Sequence, residues 1–502
     1  MNYPFWDVDI GYGWLMAIIA VVHVYVSHFA IGGGLYLVLT EIWARRSGDS
    51  ARLEFLQKLS KFFVMVTVVF GALTGVGIWF IIGLLNPAAT EVLIHQFVWG
   101  WATEWTFFLI EITAAILYLY GWKTMSPRNH MILGWAYFAA AWLSLAIING
   151  ILSFMLTPGD WLQTGNVWDG FFNPTYWSST IFRTGICIMV AGVFSLLVAA
   201  WMKTDKVKAV LVRYNAAWAV VGLAVMIPSY YWFFETIPES IRTAVSAMMP
   251  TVTARISEGW WIGTILAALV IVFGLAIPRA YHGVIGVVVL ILGLAWFGEF
   301  EWMREAMRKP YVIYGYMYGN AVEVSKIGDY QSGGMLPAIE YRTGDDGADL
   351  FRHACRSCHT VDGYKALAPR FAGTDEEFVA GMVAGTGVMR GNMPPFAGTR
   401  DEAAMIAAHL YPQLDHRKTS EIYGLSGVDL GRKVYDIRCA SCHEIGGYND
   451  KSETLVGLAR EDYEDLLDMA ADLGEEMPPF TASEEDRTAL IDYLLTLKKG
   501  GM

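Results

Sequence analysis

Two short motifs place reactive thiols beside an imidazole: Cys355-Arg-Ser-Cys358-His359 and Cys439-Ala-Ser-Cys442-His443. Both read C-x-x-C-H. At this spacing two cysteines bond the edge of a haem covalently and the adjacent histidine, His359 or His443, ligates its iron. Two copies imply two covalent c-type haems, and haem held this way performs one-electron chemistry. One copy alone is open to a zinc half-site or to coincidence. The pair is not, because the register continues well beyond the motif.

The copies lie 84 residues apart, and in each a methionine follows the histidine by 34 residues: Met393 in Asn-Met-Pro-Pro-Phe and Met477 in Glu-Met-Pro-Pro-Phe. A downstream methionine is the second axial ligand that a class I cytochrome c needs, and His/Met ligation raises the reduction potential. Met389 competes with Met393 in the first copy, but its counterpart in the second is Leu473, so the repeat favours Met393. The closing helix repeats too, Met405-Ile-Ala-Ala-His-Leu410 against Ala489-Leu-Ile-Asp-Tyr-Leu494. The pattern predicts a tandem duplication of a small all-α cytochrome c domain, over 337–420 and 421–502. The fifth cysteine, Cys187, lies in an apolar stretch and reads as a buried thiol; with the other four bonded to haem, no disulfide is expected.

The elements that hold these domains are of another kind. The chain is 55% hydrophobic, has 20 tryptophans and a mean hydropathy of +0.39, a membrane composition. The apolar mass lies in 1–310, and the sequence predicts an all-α polytopic bundle of about eight transmembrane helices there, over 12–44, 60–85, 96–122, 130–155, 178–202, 210–234, 259–278 and 282–304. Residues 311–336 connect it to the haem domains; the aromatics Tyr311, Tyr314, Tyr316 and Tyr318 suggest packing at the membrane surface rather than a free tether. The start, Met1-Asn-Tyr-Pro-Phe-Trp-Asp7, lacks the basic stretch of a cleavable signal peptide.

Loop charge sets orientation. Basic residues gather after helix 1 (Arg45, Arg46, Arg52, Lys58, Lys61), helix 3 (Lys123, Arg128) and helix 5 (Lys203, Lys206, Lys208, Arg213), which predicts that these loops are cytoplasmic. An even helix count then puts both termini and the haem domains on the outer, periplasmic face of a bacterial inner membrane. Residues 335–502 carry 29 acids against 17 bases, the whole net charge of −12, and 421–502 alone carry 18 against 8. Such a surface is either simply solvated or a docking face for a basic electron partner. Its sign excludes nucleic acid.

Ionisable groups inside a membrane bundle are costly and usually functional. His23 and His28 fall in helix 1, Glu104 and Glu111 in helix 3, Arg183 in helix 5, and Glu299, Glu301, Arg304, Glu305 and Arg308 at the end of helix 8. His23, Glu104, Arg183 and the helix 8 cluster are expected in the outer half, around one site beneath the haem domains. His23 and His28, five apart, do not share a face as joint ligands, whereas Glu104 and Glu111, seven apart, do share one. The plainer alternative is interhelical ion pairing, Arg183 or Arg308 with a glutamate.

Residues 14–120 resemble subunit I of cytochrome bd quinol oxidases. The resemblance is carried by Val22-His-Val-Tyr-Val-Ser-His-Phe-Ala-Ile-Gly-Gly-Gly34, Phe70-Gly-Ala-Leu-Thr-Gly-Val-Gly-Ile-Trp-Phe80 and Trp101-Ala-Thr-Glu-Trp-Thr-Phe-Phe-Leu-Ile-Glu111. Weaker echoes are Ile148-Asn-Gly150 and Glu305-Ala-Met-Arg-Lys-Pro-Tyr311, the latter similar to the family's E-x-G-R-Q-P-W segment. The resemblance implies that His23 ligates a high-spin haem near the outer face, that Glu104 and Glu111 line a proton route to it, and that a glutamate near Glu299 ligates a second high-spin haem. Counting back from Pro310 lands on Gly298, beside it. One or more b-type or d-type haems and a related second membrane subunit are implied as well.

The departures from the family are specific. Arg183 stands where the family has the helix 5 histidine of its low-spin haem. Arginine pairs with a propionate or a carboxylate, so it counts here as a cofactor-binding candidate and not as an iron ligand. The methionine partner has no counterpart around Arg255-Ile-Ser257, and the long outer quinol loop is reduced to 234–258. Three functions fit this pattern. One is an electron-transfer subunit linking the quinone pool or a partner membrane subunit to a periplasmic cytochrome or redox enzyme. The second is an oxidase fed by its own c haems, and the third a scaffold carrying only c haems.

Overall fold

The computed structural model describes residues 8–202, 205–248, 250–389, 393–474 and 477–497, with side chains except at 205, 244–248 and 250–251. Lys203, counted above among the loop bases, and the first seven residues lie outside the described residues. Among the described residues eight helices are long and apolar enough to cross a membrane: Tyr12–Ser47, Ser50–Leu85, Val98–Gly121, Pro127–Leu156, Tyr176–Ala200, Lys206–Thr236, Val252–Ala276 and Gly283–Arg308. They are numbered here as spans 1 to 8. Span 5 is the central helix, 72% buried over its apolar window, whereas spans 3 and 7 are 17% buried and turn most of their surface outward.

Close helix approach explains the centre of the bundle. A Cβ on Gly32 of span 1 would overlap the Cys187 carbonyl of span 5, and one on Gly222 of span 6 would overlap Met189 of span 5. Small residues therefore bring three backbones together. Cys187 is free and 1% exposed in this core. Tyr36 of span 1 donates to Asn215 Oδ1 of span 6 at 2.6 Å, a buried hydrogen bond that fixes the register of the two helices.

The structure corrects one feature of the predicted topology. The basic stretch after helix 1 is not a loop. Arg45 and Arg46 form the last turn of span 1, and Arg52, Lys58 and Lys61 belong to span 2, which begins at Ser50. The chain reverses over two residues only: Gly48 adopts φ +66° as a left-handed helix cap, and Asp49 caps the next helix by accepting from Arg52 N at 2.9 Å. Both helices run beyond their apolar windows, so polar sequence there is helical rather than loop.

After span 8 the connector folds onto the bundle. Tyr311–Ile313 pairs antiparallel with Met317–Tyr318, Tyr314 N donates to Met155 O at 2.9 Å, and Ile313 and Met317 are buried with Phe97, Phe154 and Trp161. Two small helical domains follow, built alike. Helices Asp346–Ala354 and Arg400–Leu410 cross in the first, Gly427–Arg438 and Glu484–Leu494 in the second. At each crossing a glycine, Gly347 or Gly431, lies where any Cβ would overlap the facing carbonyl of Met405 or Ala489. The closing helices are capped alike, by Thr399 with Glu402 N at 3.2 Å and by Ser483 with Asp486 N at 3.2 Å. All of these pairs keep the 84-residue offset.

Candidate functional site

In the first haem domain Cys355, Cys358, His359, Met389 and Met393 line one cavity. His359 Nδ1 lies 2.9 Å from the Lys365 carbonyl, and Lys365 has φ +50°. In the second domain His443 Nδ1 lies 3.4 Å from the carbonyl of Asn449, which has φ +48°, and 3.2 Å from the Nδ2 of the same residue. Lys365 and Asn449 are again 84 apart. In each copy a strained left-handed residue turns its carbonyl toward the ring, which holds Nδ1 and leaves Nε2 for a metal. Burial keeps the His359 imidazole below its ordinary pKa, in the neutral form that ligates. Both motifs therefore fit covalent haem with a histidine ligand. Sequence reasoning passed over Lys365 and Asn449; the repeat, together with asparagine's tolerance of positive φ, was the available signal.

The first domain's cavity does not end there. It has a volume of about 1840 Å³ and continues between the connector and the ends of spans 1, 2, 3 and 8 into the bundle, where it is lined by His23, Glu104, Glu111, Arg183, Glu299 and Glu301 among others. The outer-half residues predicted to surround one site do line one space. Lys309, Gly319 and Asn320 line the neck, where Asn320 Nδ2 donates to Ala354 O at 3.3 Å, beside the first haem cysteine.

His23 has its ring held between spans 1 and 2. Its Nδ1 is 3.1 Å from Gly71 O and 3.0 Å from Thr74 Oγ1, and a Cβ on Gly75 would sit 3.0 Å from its ring. Nε2 is 3.3 Å from Ser27 Oγ, whose hydroxyl donates to the His23 carbonyl at 2.9 Å. Glu104 and Glu111 each take one bond from span 4, from Ser144 Oγ at 3.1 Å and Tyr137 OH at 3.0 Å, two rungs seven residues apart on both helices. His28, five residues after His23 on the same helix, also lines the cavity. It is 1% exposed, its Nδ1 is 2.6 Å from Val24 O, and its Nε2 has no partner among the described residues.

Arg183 is committed elsewhere. Its Nη2 donates to Glu301 Oε1 of span 8 at 2.8 Å, and Arg304 Nε donates to the other oxygen of Glu301 at 2.9 Å. Glu299 pairs with Arg255 of span 7 at 3.2 Å, and Glu305 with Arg308 and Lys309. The interhelical pairing alternative thus describes Arg183, while Arg308 pairs within its own helix. At Arg183 the residues present do not fit an iron ligand.

A second buried polar group lies at the opposite end of the bundle. His130 Nδ1 of span 4 is 2.8 Å from Glu41 Oε2 of span 1, Tyr118 OH donates to the same oxygen at 2.7 Å, and Arg45 Nε donates to Oε1 at 2.6 Å. Glu41 and His130 are both fully buried. The sequence reading did not name them, although a glutamate inside an apolar run was the sign to look for.

Comparison with known proteins assigns the two halves. Residues 13–233 match the family model for cytochrome bd terminal oxidase subunit I, and 342–410 and 427–494 each match that for cytochrome C oxidase, cbb3-type, subunit III. The chain is a cytochrome bd subunit I-like membrane domain joined to two cytochrome c domains. A solved structure of bd oxidase from Geobacillus thermodenitrificans superposes with a TM-score of 0.52 at 17% identity, covering 63% of this chain and 90% of that one, which shows a shared fold. No curated protein matches the chain. The cytochrome c domains imply covalent haem, and the bd-like domain implies b-type or d-type haem in a multi-pass membrane protein that transfers electrons.

Proposed function

We propose that this chain is the membrane-anchored dihaem subunit of a respiratory complex, passing electrons between the membrane and a periplasmic redox partner. The observation that carries this reading is the single cavity running from His23 and Arg183 to Cys358 and His359. In the family the low-spin haem ligated on helix 5 takes electrons from quinol. Here Arg183 and Glu301 hold that position as an ion pair, and the first cytochrome c domain sits over the opening instead. The c haems supply a one-electron Fe(II)/Fe(III) couple when bound. The chain's own residues hold the imidazoles by Nδ1, line the neck with Lys309 and Asn320, and pair Arg183 with Glu301.

The basic residues cluster at the end of the bundle away from the haem domains, which supports an outward-facing head. The outward faces of spans 3 and 7 are the surfaces on which a second, related membrane subunit would pack. A second reading, an oxidase fed by its own c haems, is favoured by His23, whose Nδ1 is tied to Gly71 and Thr74 while Glu104 and Glu111 line the same cavity. A reduced-minus-oxidised spectrum with chemical haem typing separates the two. Two c haems with no carbon-monoxide-binding b or d haem support the relay. A b or d haem that binds carbon monoxide supports the oxidase and would sink the simple relay.

A further inference from the structure

Each cytochrome c domain presents the same face to the module before it. In the first domain this is the surface around the haem-attachment cysteines. Ala354, preceding Cys355, accepts from Asn320 of the connector, and Tyr364 packs edge-on to Trp14 of span 1 with ring centroids 6.0 Å apart. The residues 84 positions later do the equivalent in the second domain. Arg438, preceding Cys439, lies 3.5 Å from Asp375 of the first domain with its guanidinium carbon 4.6 Å from the Phe378 ring centre, and Tyr448 OH donates to Val388 O at 3.3 Å. Thr481 Oγ1 donates to the same Asp375 at 2.6 Å. The attachment face of the second domain is therefore seated on helix Glu376–Ala384 and the turn after it.

That receiving surface also has a copy 84 residues on: helix Arg460–Asp468 and the turn Ala470–Asp472. A head-to-tail contact does not close on itself, and among the described residues no module is seated on this second receiving surface. Here it is exposed, with Met469 and Leu473 about half exposed at 49% and 50%. Its chemistry has shifted. Asp462, Asp465 and Asp472 occupy the places of Phe378, Gly381 and Val388. Arg460, the basic residue of this helix, is paired with Asp492.

We propose that this acidic face is the docking site for a separate c-type haem protein whose attachment face carries lysine or arginine. The internal contact is the template in kind: a basic residue beside the haem cysteines, Arg438, meets Asp375, which caps the receiving helix; its counterpart is Ala459, and the acids of the second surface stand further along, at Asp462, Asp465 and Asp472. A second copy of this chain is not the occupant, because both of its attachment faces are already covered. The inference rests on the relay reading. Exchange at this face moves one electron, oxidising one haem iron and reducing the other, with no proton moved and no bond formed.

The test uses the full-length oxidised protein in detergent and ferric mitochondrial-type cytochrome c as the basic probe, with binding read by calorimetry at low and at physiological ionic strength. Binding is expected at low salt, weakening as salt rises, and lost with succinylated probe. The triple variant Asp462→Asn/Asp465→Asn/Asp472→Asn should weaken binding about tenfold or more, whereas Glu421→Gln/Asp429→Asn/Glu453→Gln, the same charge change elsewhere on the domain, should change it less than about twofold. Leu473→Lys, at an exposed side chain, provides a second variant and should also weaken binding. Equal losses in the two triple variants, no binding of the basic probe, or undiminished binding of the succinylated probe would overturn the assignment. Because no electron flows in this measurement, its failure is separate from failure of the relay, which the haem spectrum reports.

Discussion

Glu301 lies between two guanidinium groups, 2.8 Å from Arg183 and 2.9 Å from Arg304, and the Arg183 side chain is 3% exposed. The triad carries a net charge of +1. Arg183→Gln leaves Glu301 still paired with Arg304, a neutral remainder. Glu301→Gln leaves two buried cations facing each other. At an effective dielectric of about 20, unit charges about 4 Å apart interact by about 4 kcal/mol, and removing one partner of a buried pair typically costs about 3–5 kcal/mol. Glu301→Gln is therefore expected to lose about 3–5 kcal/mol, and Arg183→Gln, which removes one charged hydrogen bond and leaves Glu301 paired, about 1.5–3 kcal/mol. The assay is the rate of irreversible thermal unfolding in detergent, followed by the fraction remaining monodisperse after heating, since kinetic stability is what such proteins report. Faster loss of Glu301→Gln than of Arg183→Gln is the expected order. If Arg183→Gln is the less stable, Arg183 is balanced by something other than Glu301, and the account of why this site no longer suits an iron ligand fails.

Further outcomes follow from the haem sites. Under the oxidase reading His23→Ala should lose non-c haem while both c haems remain; full retention on haem typing would remove His23 as a ligand. Met477→Ala should keep the covalent haem but lower its potential, and an unchanged redox titration would mean that another residue ligates that iron. Asn449→Val, forcing a β-branched residue to φ +48°, should cost about 1–3 kcal/mol and disturb the second haem's low-spin spectrum, whereas Asn449→Gly, which keeps the backbone carbonyl and loses only the side-chain contact to His443, should disturb both less. Gly431→Ala drives a methyl into the Ala489 carbonyl and should prevent stable folding of the second domain, seen as loss of its haem signal in visible circular dichroism with the first domain's retained.

The helical bundle and the cytochrome c pair were legible in the sequence because both are written locally. A run of about 20 apolar residues has few alternatives to a membrane span, and the C-x-x-C-H spacing reflects covalent reach. Helix ends were less legible. Arg52, Lys58 and Lys61 sit on a helical extension outside the apolar window, where only the caps at Gly48 and Asp49 mark the turn. Glu41 and His130 were missed because a buried polar pair declares itself only when two helices 89 positions apart meet.

The sequence by itself determined that the covalent haem-attachment spacing C-x-x-C-H occurs twice, that a histidine and a downstream methionine recur at one spacing, and that the rest of the chain spans a membrane. Each of these rests on bonds or transfer energies within a few turns of chain. Only the tertiary structure decided that Arg183 is bound to Glu301, 118 positions away, that one cavity joins His23 to His359, and that each haem domain stands on the module before it. Those outcomes depend on which helix faces pack together, and packing is a property of the whole arrangement of the chain rather than of any one segment.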